Sequence, residues 1–197
     1  MKTFCITGLD GSGKSTQAVL LANKLKNSRI VSVWDIIRRK EFQNWTIYKN
    51  PPPVEKYVAK LHPVSRSLFI FHAFNEAYQS ALKSEAEYLI FDGYWYKYWA
   101  VELAMESEHF LTGFWQNQYL IPDFTFYLNL DITQIVKRKK SISEYEGGLN
   151  KDKYLKFKSI QQKAQKYLEQ LLPDNHYKID ANQEINQIHN QIYNKIR

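Results

Sequence analysis

Short apolar runs alternate along the chain with longer segments in which apolar residues recur every three or four positions. A short continuous apolar run is typical of a strand buried on both faces, whereas the longer spacing is typical of an amphipathic helix. The pattern predicts five strands, at residues 4–6, 29–34, 88–91, 123–130 and 177–180. It predicts helices from near residue 14 and over residues 66–86, 97–119, 132–140, 151–172 and 183–196.

This alternation of strands and helices indicates an α/β fold. We expect one doubly wound domain over residues 1–197, with about five parallel strands and helices on both faces of the sheet. Residues 36–63 are mixed and charged, and they include three consecutive prolines, which break helices. They are predicted to form helical pieces and loop that cover the mouth of a site.

The junction between the first strand and the first helix carries the strongest motif in the chain. Residues 8–15 read GLDGSGKS, which matches the phosphate-binding pattern G-x-x-x-x-G-K-[ST], and a further hydroxyl follows. Glycines let the backbone approach a ligand closely, and the start of the following helix offers free N–H donors to an anion. The motif therefore predicts a nucleoside triphosphate together with Mg²⁺.

Each residue of this loop has an expected role. Lys14 is expected to reach the β and γ phosphates, and the Ser15 hydroxyl to contact Mg²⁺. The predicted phosphate-binding residues are Gly8, Asp10, Gly11, Ser12, Gly13, Lys14, Ser15 and Thr16. The alternative is a glycine-rich turn that binds nothing, but a strand-like run before the loop and a helical pattern after it argue against that alternative.

Composition narrows the class of protein further. The net charge of +7 suits an anionic ligand, but the lysines are interrupted by acids, so nucleic acid is not the expected partner. Cys5 is the only cysteine, which excludes a disulfide framework and favours a cytoplasmic setting. No apolar run is long enough to span a membrane, and no signal peptide is expected.

Four segments together resemble the thymidylate kinase family of nucleoside monophosphate kinases. The phosphate loop ends in Gly-Lys-Ser-Thr-Gln, and residues 91–94 stand where the family has Asp-Arg-Tyr or Asp-Arg-His. Residues 122–128 read PDFTFYL, close to the family's PDLTFYL, and Arg138 takes the position of the arginine that follows. Residues 177–182 resemble the final strand and the loop beside the adenine.

The resemblance implies roles for individual residues. Asp10 would contact the acceptor's sugar hydroxyl or the metal shell, and Asp92 would organise Mg²⁺ and the attacking phosphate. Arg138 would lie near the adenine or the transferred group, with Ala181 and Asn182 near the adenine ring. Lys14, Asp92, Arg138 and Asp10 are thus the candidate catalytic residues. The resemblance also implies a homodimer. The glycines and charges at about residues 138–152, between two helices, predict a lid that closes over the phosphates, with an inert loop as the alternative. For Asp92 a plain helix cap is the alternative.

Three arginines of the family pattern are missing from this chain. Gly93, Ala73 and Glu144 stand at the positions where the family has them. This matters because phosphoryl transfer depends on neutralising a crowded anionic transition state. Either other cations, Lys97 among them, hold the acceptor's phosphate, or the acceptor carries no phosphate.

Three functions follow as hypotheses. The first is transfer of the γ-phosphate of ATP to a nucleoside monophosphate, dTMP or a relative. The second is a kinase for a deoxynucleoside or another small alcohol, with Asp35 after the second strand as the base, although this acid fits a helix cap equally well. The third is an ATP-binding regulatory or nucleic-acid-associated module without turnover.

Aromatic side chains are candidates for contact with a flat base. Phe71, Phe74 and Tyr94 fall in segments that the resemblance places at the acceptor site. Aromatic rings stack readily on bases, but they also fill protein cores, and both interpretations stay open.

Overall fold

A five-stranded, all-parallel sheet forms the centre of the computed structural model, which describes residues 1–40, 53–106, 112–147 and 152–197. The strand order is β2-β3-β1-β4-β5. The strands are β1 (Lys2–Thr7), β2 (Ser28–Val31), β3 (Tyr88–Asp92), β4 (Phe124–Asn129) and β5 (Tyr177–Asp180). The predicted number of strands and the parallel α/β class are confirmed.

The described helices pack around this sheet in two groups. Helix α1 lies on β1, β2 and β3 and contacts α10, whereas α5 packs along α9, which also contacts α7 and α8. The helices are α1 (Lys14–Lys24), α2 (Asp35–Arg38), α3 (Pro53–Ala59), α4 (Pro63–Leu82), α5 (Trp95–Ala104), α6 (Thr112–Gln116), α7 (Ile132–Arg138), α8 (Glu144–Gly147), α9 (Lys153–Leu171) and α10 (Ile185–Ile196). None of these helices combines the length and the hydropathy that a bilayer-spanning helix needs.

The core lies between the sheet and the helices that cover it. Phe4, Cys5 and Ile6 of β1 are all buried, which explains the continuous apolar run at that central strand. Leu21 on α1 is also fully buried, while Val19 of the same helix is 49% exposed. This difference follows the helical period and confirms the amphipathic pattern.

Some element boundaries differ from those predicted. Strand β2 ends at Val31, not at residue 34, because the Ser32 N–H donates to the Asp35 carboxylate at 3.0 Å. Helix α4 begins at Pro63, since proline is well tolerated in the first turn of a helix. The helical pattern at 97–119 includes two helices, α5 and α6, with residues 107–111 outside the described chain.

The order of the strands determines where a ligand can bind. Strand β1 lies between β3 and β4, and Ile6 is in register with Asp92. The phosphate loop after β1 and the acid at the end of β3 therefore meet at one edge of the sheet. In open parallel sheets, ligands bind at the carboxyl ends of the strands where the winding reverses.

Replacing Leu21 by alanine tests the packing of α1 on the sheet. We expect Leu21→Ala to lower the free energy of unfolding by about 2–5 kcal/mol, because it removes fully buried methyl groups. Val19→Ala on the exposed face should change it by less than about 0.5 kcal/mol. Urea unfolding measures both, and equal losses would contradict the packing described here.

Candidate active site

The phosphate loop joins β1 to α1 through glycines that no other residue can replace without strain. Gly8 has φ +148°, and a Cβ there would lie 2.6 Å from the Leu128 carbonyl oxygen. Gly13, directly before α1, has φ +97°, in the left-handed region. Loop and helix thus meet as the motif predicts, with the exposed hydroxyls of Ser15 and Thr16 in the first turn.

Lys14 folds back over the loop. Its Nζ donates to the Leu9 carbonyl oxygen at 2.8 Å and lies 3.9 Å from Asp10 Oδ1. Burial lowers the pKa of Lys14 to about 8; Asp10 opposes this shift and Lys97 adds to it. The lysine of the loop is therefore poised to gain or lose its charge within the physiological range.

Asp10 joins the loop to the helix after β3. Its Oδ1 lies 2.9 Å from Lys97 Nζ at the start of α5. Burial by itself raises the pKa of Asp10, but the ammonium groups of Lys97 and Lys14 outweigh it and hold the pKa well below its ordinary value. Asp10 therefore stays ionised between two lysines.

A cleft of about 360 Å³ opens on one side of the loop. Arg138, from the end of α7, reaches it and donates to the Ala181 carbonyl oxygen at 3.0 Å. Ala181 itself is fully buried behind the cleft, whereas Asn182 lines it. The lining residues are Gly11, Ser12, Gly13, Thr16, Gln17, Arg138, Asn182, Gln183, Glu184, Ile185 and Ile188.

A second, smaller pocket of about 100 Å³ lies on the other side of the site. It is lined by Asp10, Trp34, Ile70, Lys97, Tyr98, Ser143, Tyr145 and Glu146. Asp10 lines this pocket and the next residue, Gly11, lines the larger cleft. The phosphate loop thus runs between two binding spaces, an arrangement that suits transfer of a group from one to the other.

The protein-family comparison decides the assignment. The family model described as thymidylate kinase matches residues 6–192. The chain belongs to the thymidylate kinase family. It is therefore an ATP-dependent nucleotide kinase, and this activity displaces the hypothesis of a module without turnover. A sequence search of curated proteins found no significant match.

Solved structures of two kinds share the fold of this kinase. Thymidylate kinase from Candida albicans is 22% identical, with a TM-score of 0.69 over 99% of this chain and 90% of that one. Deoxyadenosine kinase from M. mycoides is 16% identical, with a TM-score of 0.67 over 98% of both chains. Thymidylate kinase from Ehrlichia chaffeensis is 17% identical, with a TM-score of 0.64 over 100% of this chain and 98% of that one.

The three positions where the family pattern has arginine are occupied here by residues in different surroundings. Ala73 is fully buried in α4, and Glu144 starts α8. Gly93 has φ +80°, and a Cβ there would lie 2.9 Å from the Tyr98 hydroxyl. That hydroxyl donates to the Asp92 carbonyl oxygen at 3.2 Å, so the tyrosine occupies space beside residue 93.

Two arginines near the site are already paired with acids. Arg66 Nε donates to Glu102 at 2.8 Å, and both side chains are buried. Arg39 Nη1 lies 3.2 Å from Glu76. Among the described residues, Lys97 is the cation that the structure places in the smaller pocket.

Several residues that were predicted to contact the substrate line neither of these two pockets. Phe74 and Tyr94 are fully buried and pack edge to face at 5.4 Å, so their packing favours the core interpretation. Phe71 packs against Trp115 at 4.3 Å between ring centroids. Asp35 is the first residue of α2 and bonds back to Ser32, while its neighbour Trp34 lines the pocket.

Sequence reasoning missed Tyr98, Glu102 and Tyr145. Tyr98 follows Lys97 directly, and the ammonium lies 4.9 Å from its ring centroid. Glu102 is an acid in an otherwise apolar stretch of α5, and such a residue signals a buried cationic partner. Nothing in the local sequence marked Tyr145, because its partner lies 43 residues away.

The pH dependence of ATP binding tests the state of Lys14. The ammonium is present below its pKa of about 8 and is lost above it, so ATP affinity should fall as the pH rises through that value. The fall should approach about tenfold per pH unit. Lys14→Met should bind ATP weakly and without this dependence. Calorimetric titration measures both, and a parallel slope in the variant would contradict the assignment.

Substitution of Gly93 tests whether the site tolerates a side chain there. Gly93→Ala should lower the free energy of unfolding by about 1–2 kcal/mol, because φ is positive and the Tyr98 hydroxyl is close. Gly113→Ala in α6 should instead raise the free energy of unfolding by up to about 1 kcal/mol. A Cβ at residue 113 would lie more than 4 Å from every atom outside its chain neighbours and the backbone of its own helix. Thermal unfolding compares them, and stabilisation by both changes would be inconsistent with this geometry.

Proposed function

We propose that this kinase transfers the γ-phosphate of ATP to a nucleoside monophosphate, dTMP or a close relative, with Mg²⁺. The observation that carries the proposal is the pair of binding spaces that meet at Asp10 and Gly11. Lys14 belongs to the same loop, whose sequence is that of a phosphate-binding loop, and its Nζ lies 3.9 Å from Asp10 Oδ1. The family membership limits the chemistry to phosphoryl transfer.

The larger cleft is the ATP side in this proposal. Its floor is the loop and the N-terminus of α1, where free N–H groups and the helix dipole favour phosphate. Arg138 and Asn182 form its far wall, in positions suited to an adenine ring. The hydrogen bond from Gln17 to the Ile185 carbonyl oxygen, at 2.9 Å, fixes α10 against this side.

The smaller pocket is the acceptor side. Lys97 would hold the acceptor's phosphate in place of the missing arginine, as a point charge without the bidentate geometry of a guanidinium. Asp10, kept ionised by its two lysines, would accept a hydrogen bond from the sugar hydroxyl. Trp34 and Tyr98 supply apolar walls for a sugar and base.

The residues present fit Mg²⁺, which prefers oxygen ligands and keeps several waters. Ser15 offers an exposed hydroxyl at the start of α1, and Asp92 a carboxylate at the adjacent strand end. The described residues contain no cluster of three or more acids, histidines or cysteines, so phosphate oxygens and water would complete the shell. When bound, the ion would neutralise charge on the phosphates.

A second candidate is a nucleoside kinase. It is favoured by the pairing of Arg66, Arg39 and Lys97 with acids, which leaves little positive charge for an acceptor phosphate. Asp35 is the proposed base in this case, and Asp35→Asn would then abolish turnover while ATP still binds.

A homodimer and a cytoplasmic location stay predictions from the sequence.

An acceptor screen separates the two candidates. ADP release with ATP and Mg²⁺ is measured for deoxynucleosides and for their monophosphates, with EDTA as the check on metal. Stimulation by dTMP or another monophosphate is the expected result. Stimulation by nucleosides alone would replace the proposal by the second candidate.

Lys97→Met tests the acceptor side directly. We expect the KM for the monophosphate to rise about tenfold or more, equivalent to about 1.4 kcal/mol, with ATP affinity little changed. The matched control is Lys178→Met, since Lys178 is an exposed lysine that also pairs with an acid, Glu169, outside both pockets. Equal effects of the two variants on KM would count against a role for Lys97.

A further inference from the structure

Glu102 lies in the interior of α5 with none of its surface exposed. An ionised carboxylate in such a place needs both a counter-charge and hydrogen-bond donors. Arg66 Nε donates to Oε2 at 2.8 Å, and the Ser67 hydroxyl donates to the same oxygen at 3.2 Å. The second oxygen, Oε1, accepts from the Tyr145 hydroxyl at 2.9 Å.

The four side chains come from three separate parts of the fold. Arg66 and Ser67 belong to α4, and Glu102 belongs to α5. Tyr145 belongs to α8, a single turn of four residues. So short a helix has little stability of its own, and its position must be fixed by tertiary contacts.

Other contacts shape the segment of residues 143–147 without tying it to α5. Glu146 pairs with Lys139 and accepts from the Ser143 N–H at 3.0 Å, so both contacts stay within residues 139–146. Gly147 is packed closely, since a Cβ there would lie 2.7 Å from Ile142. Helix α8 also packs against α3 and α9, and the hydrogen bond from Tyr145 to Glu102 joins the segment to α5.

The same segment forms one wall of that pocket. Ser143, Tyr145 and Glu146 all line it, together with Asp10 and Lys97. No residue of 143–147 lines the larger cleft. A shift of the segment would therefore change the smaller pocket first.

We propose that the Tyr145–Glu102 hydrogen bond positions residues 143–147 as a wall of the acceptor pocket and thereby sets the affinity for the acceptor. This inference rests on the proposed function above, in which the smaller pocket binds the acceptor. Tyr145 acts as a positioning residue and Glu102 as its anchor, held in turn by Arg66. ATP affinity is independent of this contact.

The state of the phenol supports a constant contact. Burial raises the pKa of Tyr145 well above its ordinary value, and the charge of Glu102 raises it further. The hydroxyl therefore keeps its proton throughout the physiological range and remains a donor to the carboxylate.

Tyr145→Phe tests the proposal, since it keeps the ring and removes only the donor. We expect the KM for the best acceptor of the screen to rise about fivefold or more, with the Kd for ATP unchanged within about twofold. Amide hydrogen exchange of residues 143–147 in the ligand-free protein should become faster. The matched control is Tyr127→Phe, which removes a similar tyrosine–glutamate bond, to Glu169 at 3.4 Å, outside both pockets.

A double-mutant cycle with Glu102→Gln separates the bond from general destabilisation. If the bond carries the effect, the double variant should raise KM no more than the larger of the two single changes. Additive rises would overturn the proposal, as would faster exchange with an unchanged acceptor KM. If the wild-type protein turns over no nucleoside or nucleotide, the proposed function fails, whereas unchanged exchange in Tyr145→Phe overturns the positioning contact itself.

Discussion

The ion pair between Asp10 and Lys97 is the interaction on which the site depends. It joins the phosphate loop after β1 to the helix after β3, at an edge where those two strands are neighbours. With Lys14 on its other side, Asp10 stays ionised although it is largely buried. Burial lowers the pKa of Lys14, an effect that Asp10 opposes and Lys97 adds to, so the charge of this lysine depends on the charges beside it.

Lys97 is the basic residue among the described residues that line the smaller pocket of this kinase. Residue 93 is a glycine with positive φ, and the Tyr98 hydroxyl fills the space next to it. A nearby arginine, Arg66, is committed to the buried Glu102. The pocket is therefore lined by one lysine, Lys97, and two acids, Asp10 and Glu146, each of which has a lysine partner. A lysine offers an anion a single point charge, whereas an arginine offers the paired donors of a guanidinium group.

The two sides of the site differ in how they are held together. The larger cleft rests on the backbone of a loop and on a helix terminus, whose hydrogen-bonding groups are fixed by the fold. The smaller pocket rests on side chains from distant segments, among them Lys97, Trp34 and Tyr145. A loop that binds through its backbone tolerates changes of the side chains around it, whereas a pocket built from side chains changes with each substitution.

The sequence by itself determined the sheet, the phosphate loop and the family, because apolar periodicity and the spacing of glycines act over a few neighbouring residues. Strand β5 appears at the predicted residues 177–180, and α1 begins at Lys14 as expected. Tertiary structure alone decided that Phe74 and Tyr94 belong to the core and that Glu102 anchors Tyr145. These contacts join residues that lie far apart along the chain, so the local pattern marks Glu102 as an unusual acid but does not identify its partners.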